Sequence, residues 1–277
     1  MKKILFPTDF STTANNALVY ALKMAEKYGS TLYVLHAYEM PVISATANPV
    51  MVQDVYKTIE LGKFENFKDQ VPFIRQIAEE QGLSHVPMLY ILEEGFLNSI
   101  IKKCVKEEGI DLVVMGTNGN SGFDKKLLGS NTANAISSLH IPVLSVPHNA
   151  VFHGIQNIAF TTLFKDKDLE ILDKLIPIAK VFEAEIECLH ISSEKTTING
   201  QKLAEWRERY ANEPISFHFI TSKTVDEAIF EFMDDEDIDL VVAVTRSRSF
   251  FEKLFSSSMT RKLSYHMDTP VLAFHEE

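Results

Sequence analysis

Residues 110–114 read IDLVV, and the same five residues return at 238–242. The offset of 128 persists downstream. Thr117 meets Thr245, Lys125 meets Lys253, Ser130 meets Ser258, Thr132 meets Thr260, and PVL at 142–144 meets PVL at 270–272. Upstream a second offset, 154, aligns Ile4 with Ile158, Phe6 with Phe160, Ala25 with Ala179, and Leu35-His36 with Leu189-His190. A repeat of this length is one folded unit copied once. The chain therefore divides into a domain over 1–148 and a shorter copy over 154–277, joined by Pro147–Gly154. The two offsets differ by 26 residues, which the first half carries between His36 and Asp111. The stretch Tyr38–Lys57, rich in Ala, Pro, Val and Met without clean periodicity, is the expected place for them. There they would form an adaptable cover over a site or a contact with a second chain, or a surface insertion without a role.

Each half alternates strand and helix. KILFP is a short apolar strand, after which Ser11 suits an N-cap. Ala14, Ala17, Leu18, Ala21, Ala25 and Tyr28 follow at helical spacing, and Gly29 suits a left-handed stop. TLYVLHA, PMLYIL, DLVVM and PVLSV continue the strands. Between them a long charged helix is predicted from about Val52 to Gln81, a helix stripe runs from Leu97 to Val105, and Ser130 is expected to cap a helix ending at Leu139. NIAFT, EIECLH, SFHFI, DLVVAV and PVLAF repeat the series. Val/Ile/Leu-rich strands separated by helices imply parallel sheets covered on both faces. The fold class is therefore α/β, with two tandem doubly wound, Rossmann-like domains. Each is expected to hold a five-stranded parallel sheet. In such folds a ligand sits beyond the carboxyl ends of the strands, at the switch in strand order.

Composition excludes several classes. The chain has 277 residues, 45% hydrophobic and 23% charged, enough apolar content for two cores. The formal net charge is −11, −2 from residues 1–148 and −9 from the rest, which argues against nucleic-acid binding. No apolar run is long enough to span a bilayer, and MKKILFPTDF lacks the long apolar core of a leader peptide. Cys104 and Cys188 lie in different halves and read as reduced, buried thiols of a cytoplasmic protein. No His-x-x-x-His or Cys-x-x-Cys supports a metal site, and no G-x-S-x-G supports a triad hydrolase. His36 and His190 read as equivalent structural residues, and 234–239 as a solvated acidic loop.

One loop carries chemistry. After the fourth strand come Met115, Gly116, Thr117, Asn118 and Gly119, then nine residues, then Gly129, Ser130, Asn131 and Thr132. Glycines let a backbone approach a ligand closely or take positive φ. Ser130, with the N–H groups and dipole of the helix it opens, can hold a phosphate. Asp9, at the end of the first strand, can accept from ribose hydroxyls or an adenine amino group, or face a phosphate-bound metal ion; it can equally cap the first helix.

The Gly-x-x-Gly, nine-residue, Gly-Ser spacing of Gly116, Gly119, Gly129 and Ser130 resembles the signature of the universal stress protein family. ILFPTDFS with Asp9, LYVLHA and PVLSVP also match that family. The resemblance covers both halves and implies a tandem member in which each sheet is ordered 3-2-1-4-5. It implies adenine-nucleotide binding, ATP or AMP, with or without Mg2+. Carried over, Asp9 lies by adenine and ribose, and Ala37 meets the adenine through its backbone. Met115 and Gly116 flank the ribose and α-phosphate, while Gly119, Gly129, Ser130, Asn131 and Thr132 hold the phosphates. The halves are expected to form an intramolecular pseudo-dimer by pairing their fifth strands, and a homodimer of the tandem unit is the candidate next level of assembly. Two functions follow: a stress regulator working by nucleotide occupancy, or a slow ATPase or adenine-nucleotide hydrolase. No catalytic residue stands out. A scaffold without ligand is the third reading. In the second half Gly116, Gly119, Gly129 and Asp9 become Val244, Ser247, Ser257 and Leu163, so only the first half is expected to bind.

Overall fold

The computed structural model describes the chain except for residues 44–48, 118–128, 193–199, 246–267 and 276–277. It separates into two compact units, Met1–Gly116 and Thr117–Glu277.

The first unit contains β1 (Lys3–Pro7), α1 (Thr12–Tyr28), β2 (Thr31–Tyr38), α2 (Pro49–Glu80), β3 (Met88–Glu94), α3 (Leu97–Glu108) and β4 (Leu112–Thr117), whose last residue opens the second unit. Its strands lie in the order β3-β2-β1-β4, the first four positions of the expected 3-2-1-4-5, and all these pairs are parallel. The capping chemistry follows the sequence. The Ser11 hydroxyl accepts the N–H of Ala14 at 3.2 Å, and Gly29 ends α1 in the left-handed region at φ 60°. Ala17, Leu18, Ala21 and Leu22 of α1 bury completely against the sheet.

The second unit contains α4 (Ser130–Ser138), β5 (Val143–Pro147), β6 (Asn157–Thr161), α5 (Asp166–Phe182), β7 (Glu185–Ser192), α6 (Gly200–Arg209), β8 (Ile215–Thr221), α7 (Val225–Asp235), β9 (Leu240–Thr245) and β10 (Val271–His275). The strands of the second repeat run β8-β7-β6-β9-β10, the complete 3-2-1-4-5 order, with parallel pairing throughout. β5 adds to β10 antiparallel, Leu144 opposite Leu272, and so covers an apolar edge that would otherwise remain open.

The repeated IDLVV has a physical cause in each unit. Leu112, Val113 and Val114 are fully buried, as is Val242 in the copy, because these central strands are covered on both faces. The preceding aspartate closes the start of the sheet. Asp111 Oδ2 accepts the backbone N–H groups of Lys2 (2.6 Å) and Lys3 (3.0 Å). Asp239 Oδ2 accepts those of Gln156 (2.7 Å) and Asn157 (3.1 Å). The acidic run at 234–239 is thus more than a solvated loop: it includes the end of α7 and this clamp.

Much of the length difference between the halves lies in one helix, and residues 44–48 of the stretch expected to form a cover lie outside the described residues. α2 has 32 residues and its counterpart α6 has 10, and α2 already begins at Pro49. Residues 49–57, which lack clean periodicity in the sequence, are its first turns, and the helix starts three residues before the expected Val52. The inner face of α2, with Phe67, Ile74 and Ala78 buried, supplies the periodicity that holds it on the sheet. Among the described residues no helix is long and apolar enough to cross a membrane. Both cysteines are buried, and burial pushes the thiols of Cys104 and Cys188 above their ordinary range.

Candidate functional site

In the first unit the candidate residues sit at the carboxyl ends of β1, β2 and β4, which are neighbours in the order β2-β1-β4. β1 runs into Thr8, whose N–H continues the ladder to Leu35 O at 2.8 Å. The His36 Nδ1–H donates to Thr8 O at 2.8 Å, since a carbonyl only accepts. Thr8 Oγ1 then takes the N–H of Phe10 at 2.9 Å, and Phe10 adopts φ +62°, rare for a non-glycine residue. That turn sends the Phe10 ring inward, 4.9 Å from the His36 ring and 6.1 Å from Phe67 of α2. Asp9 is left exposed on the outer side of the turn, and its Oδ1 accepts the N–H of Ser11 at 3.0 Å. Asp9 thus serves the loop before α1, while Ser11 caps the helix itself. Ala37 is half-buried opposite Glu93 of β3.

Met115 is buried and Gly116 half-buried at the end of β4. Gly116 does not have positive φ, contrary to the usual reason for glycine in such a loop. Its need is space. A Cβ there would lie 2.8 Å from the backbone oxygen of Thr13 and 3.1 Å from its carbonyl carbon, so α1 passes too close for any side chain.

In the second unit, Gly129 precedes α4 with φ −58°, again outside the left-handed region. Gly129, not Ser130, occupies the N-cap, so no side chain caps this helix. The Gly129 N–H is held by Thr117 Oγ1 at 3.0 Å, and Ala133 N donates to Gly129 O at 2.9 Å. Ser130 and Asn131 are exposed, while Thr132 is buried in the first turn. Gly119 lies outside the described residues. The residue that spacing alone missed is Thr117, whose role depends on a partner twelve positions away.

The second repeat keeps the scaffold of the turn and changes its surface. His190 Nδ1 donates to Thr162 O at 2.8 Å, Thr162 Oγ1 accepts Phe164 N at 2.9 Å, and Phe164 has φ +54°. The Phe164 ring packs 4.8 Å from Trp206, which is fully buried. Leu163 stands exposed where the first repeat has Asp9. Asp168, fully buried, replaces Ala14. Its Oδ2 accepts from the Thr162 hydroxyl (2.9 Å), Leu163 N (2.9 Å) and Lys165 N (3.1 Å). Val244, buried, stands in place of Gly116; Ser247 and Ser257 lie outside the described residues. Among the described residues no three His, Cys, Asp or Glu side chains gather as a metal site.

The universal stress protein family model matches residues 1–147 and 194–275. The chain belongs to the universal stress protein family. A universal stress protein of Methanocaldococcus jannaschii is 29% identical over 149 residues, covering 52% of this chain and 81% of the relative. One from Synechocystis sp. is 22% identical over 294 residues, covering 99% of this chain and 100% of its own, so a tandem length recurs. The crystal structure of a universal stress protein from Archaeoglobus fulgidus covers 99% of this chain and 98% of its own at TM-score 0.71 and 17% identity, which shows the shared fold. In this universal stress protein chain the matched segment 1–147 contains every candidate site residue, from Asp9 to Thr132.

Proposed function

We propose that the first half binds one adenine nucleotide, ATP or AMP, and that the chain acts as a stress-response regulator through occupancy of that site. The observation that carries this reading is the start of α4. A helix N-terminus with glycine at the N-cap and no capping side chain, followed by the exposed polar side chains of Ser130 and Asn131, suits an anion. Ser130, Asn131 and Thr132 would meet the phosphates. Asp9, Ala37, Met115 and Gly116 would meet the nucleoside, with Asp9 accepting from ribose or adenine. The donor set is neutral and fits phosphate oxygens. If Mg2+ accompanies the phosphates, it would offset their charge. The pairing of β5 with β10 supports a further proposal, that the two halves work as an intramolecular pseudo-dimer.

Among the described residues the site offers hydrogen-bond donors and one exposed carboxylate, without a paired acid and base, which favours occupancy over turnover. Incubation with radiolabelled ATP tests the reading. Bound nucleotide recovered intact, at one per chain, supports it. Absence of binding, or steady release of ADP on the timescale of dissociation, overturns it.

A further inference from the structure

We infer that Thr117 is a positioning residue for the phosphate end of the site: its hydroxyl fixes where α4 begins. The inference rests on the nucleotide reading above. Thr117 is the last residue of β4 and is 2% exposed. Its Oγ1 accepts the Gly129 N–H at 3.0 Å, a side chain to backbone bond that joins two points twelve residues apart. The bond therefore ties the start of α4 directly to Thr117, without relying on the eleven residues between them.

The bond does two things. A glycine N-cap brings no side chain of its own, and packing of Thr132, Ala135 and Ile136 helps to hold the first turns of α4. Thr117 adds a directional contact to that packing, and a donor set for phosphate must be held in place before the ligand arrives to be effective. The bond also commits the Gly129 N–H to the protein. The groups left to face an anion then begin at Ser130, one residue later than the glycine-based signature suggests. A Cβ on Gly129 would stand 3.9 Å from Thr117 Oγ1, an ordinary contact, so the glycine itself is not required by this bond.

The test uses the full chain with ATP and adenosine as separate probes. Thr117→Val keeps the volume and removes the acceptor; Thr117→Ser keeps the hydroxyl. Loss of one neutral hydrogen bond predicts that Thr117→Val weakens ATP roughly five-fold. Adenosine, which lacks phosphates, is expected to bind both variants as it binds the wild type, and Thr117→Ser is expected to restore ATP affinity. Without any ligand, the Gly129 amide is expected to exchange faster with deuterium in Thr117→Val than in the wild type or Thr117→Ser. Equal weakening of ATP and adenosine, or failure of serine to restore ATP, overturns the inference. So does a Thr117→Val chain that binds ATP as the wild type does, and this leaves the nucleotide reading standing. A wild-type chain that takes neither probe overturns the nucleotide reading and the positioning role with it.

Discussion

Gly116→Ala adds one methyl group and places it against the backbone of α1. The distances are 2.8 Å to Thr13 O, 3.1 Å to Thr13 C and 3.1 Å to Thr13 Cγ2. The side-chain atom could rotate away, but the carbonyl belongs to the first turn of a helix anchored by Ser11 and by the fully buried Ala17, Leu18 and Ala21. Relief therefore requires α1 and β4 to separate by several tenths of an ångström, opening packing that is otherwise tight. Overpacking of this kind costs about 1–3 kcal/mol. The matched control is Gly129→Ala, where the nearest atom to a new Cβ is Thr117 Oγ1 at 3.9 Å and φ is −58°. That change should leave stability within about 0.5 kcal/mol, since alanine there is unstrained and restricts the unfolded chain slightly. Urea unfolding followed by circular dichroism measures both, with the slope checked for constancy. A Gly116→Ala chain as stable as the wild type would refute the reasoning, showing that α1 yields without cost. The expected loss is one of folding as well as binding, which changes the simplest reason for this glycine from room for phosphate to room for a helix.

Asp168→Asn removes the charge that gathers three donors in a fully buried turn and should lower stability by about 2–3 kcal/mol, read by urea unfolding; a change under about 0.5 kcal/mol would show that the turn holds without it. Asp111→Ala and Asp239→Ala each free two backbone donors at an exposed sheet end and should cost about 1 kcal/mol apiece, additive in the double variant because the two clamps are separate. Burial raises the Tyr28 hydroxyl to about 12 and also raises that of Tyr210, where burial leads and the hydrogen bond to Asp173 adds. A raised folded-state value for an acid means stability is intact below the unfolded tyrosine value, about 10, and declines as pH rises toward 12. Tyr28→Phe should flatten that alkaline decline in melting temperature, and an unchanged profile would remove Tyr28 as its source.

Much of the fold was legible because its signals are local or exactly repeated. Ser11 and Gly29 mark the ends of α1 by their own chemistry, and the IDLVV repeat marks equivalent strands together with the aspartate that closes each sheet end. The long α2 was legible in its body and its end, and only its first three residues were missed, because Ala, Pro, Val and Met near its start mask the periodicity that Phe67, Ile74 and Ala78 make clear further on. Within the candidate site, Asp9 and the glycines could be located by motif, but their reasons could not. Whether Gly116 faces a ligand or a helix depends on how closely Thr13 approaches, a distance set by tertiary packing. Thr117 and Gly129 are joined across twelve residues, and no periodicity reports such a bond. The replacement of Ala14 by Asp168 shows the same limit. One substitution supplies a carboxylate that holds the second copy's turn from within, where the first copy leaves its own carboxylate, Asp9, on the surface.

The number of nucleotides that one chain binds tests the single-site reading most directly. Isothermal titration of the purified full chain with ATP, with the bound species identified by mass spectrometry, measures it. The predicted result is a single site per chain, sharply weakened by Asp9→Ala and unaffected by Leu163→Ala in the second half. Two equivalent sites, or a single site that responds to Leu163→Ala and not to Asp9→Ala, would contradict it.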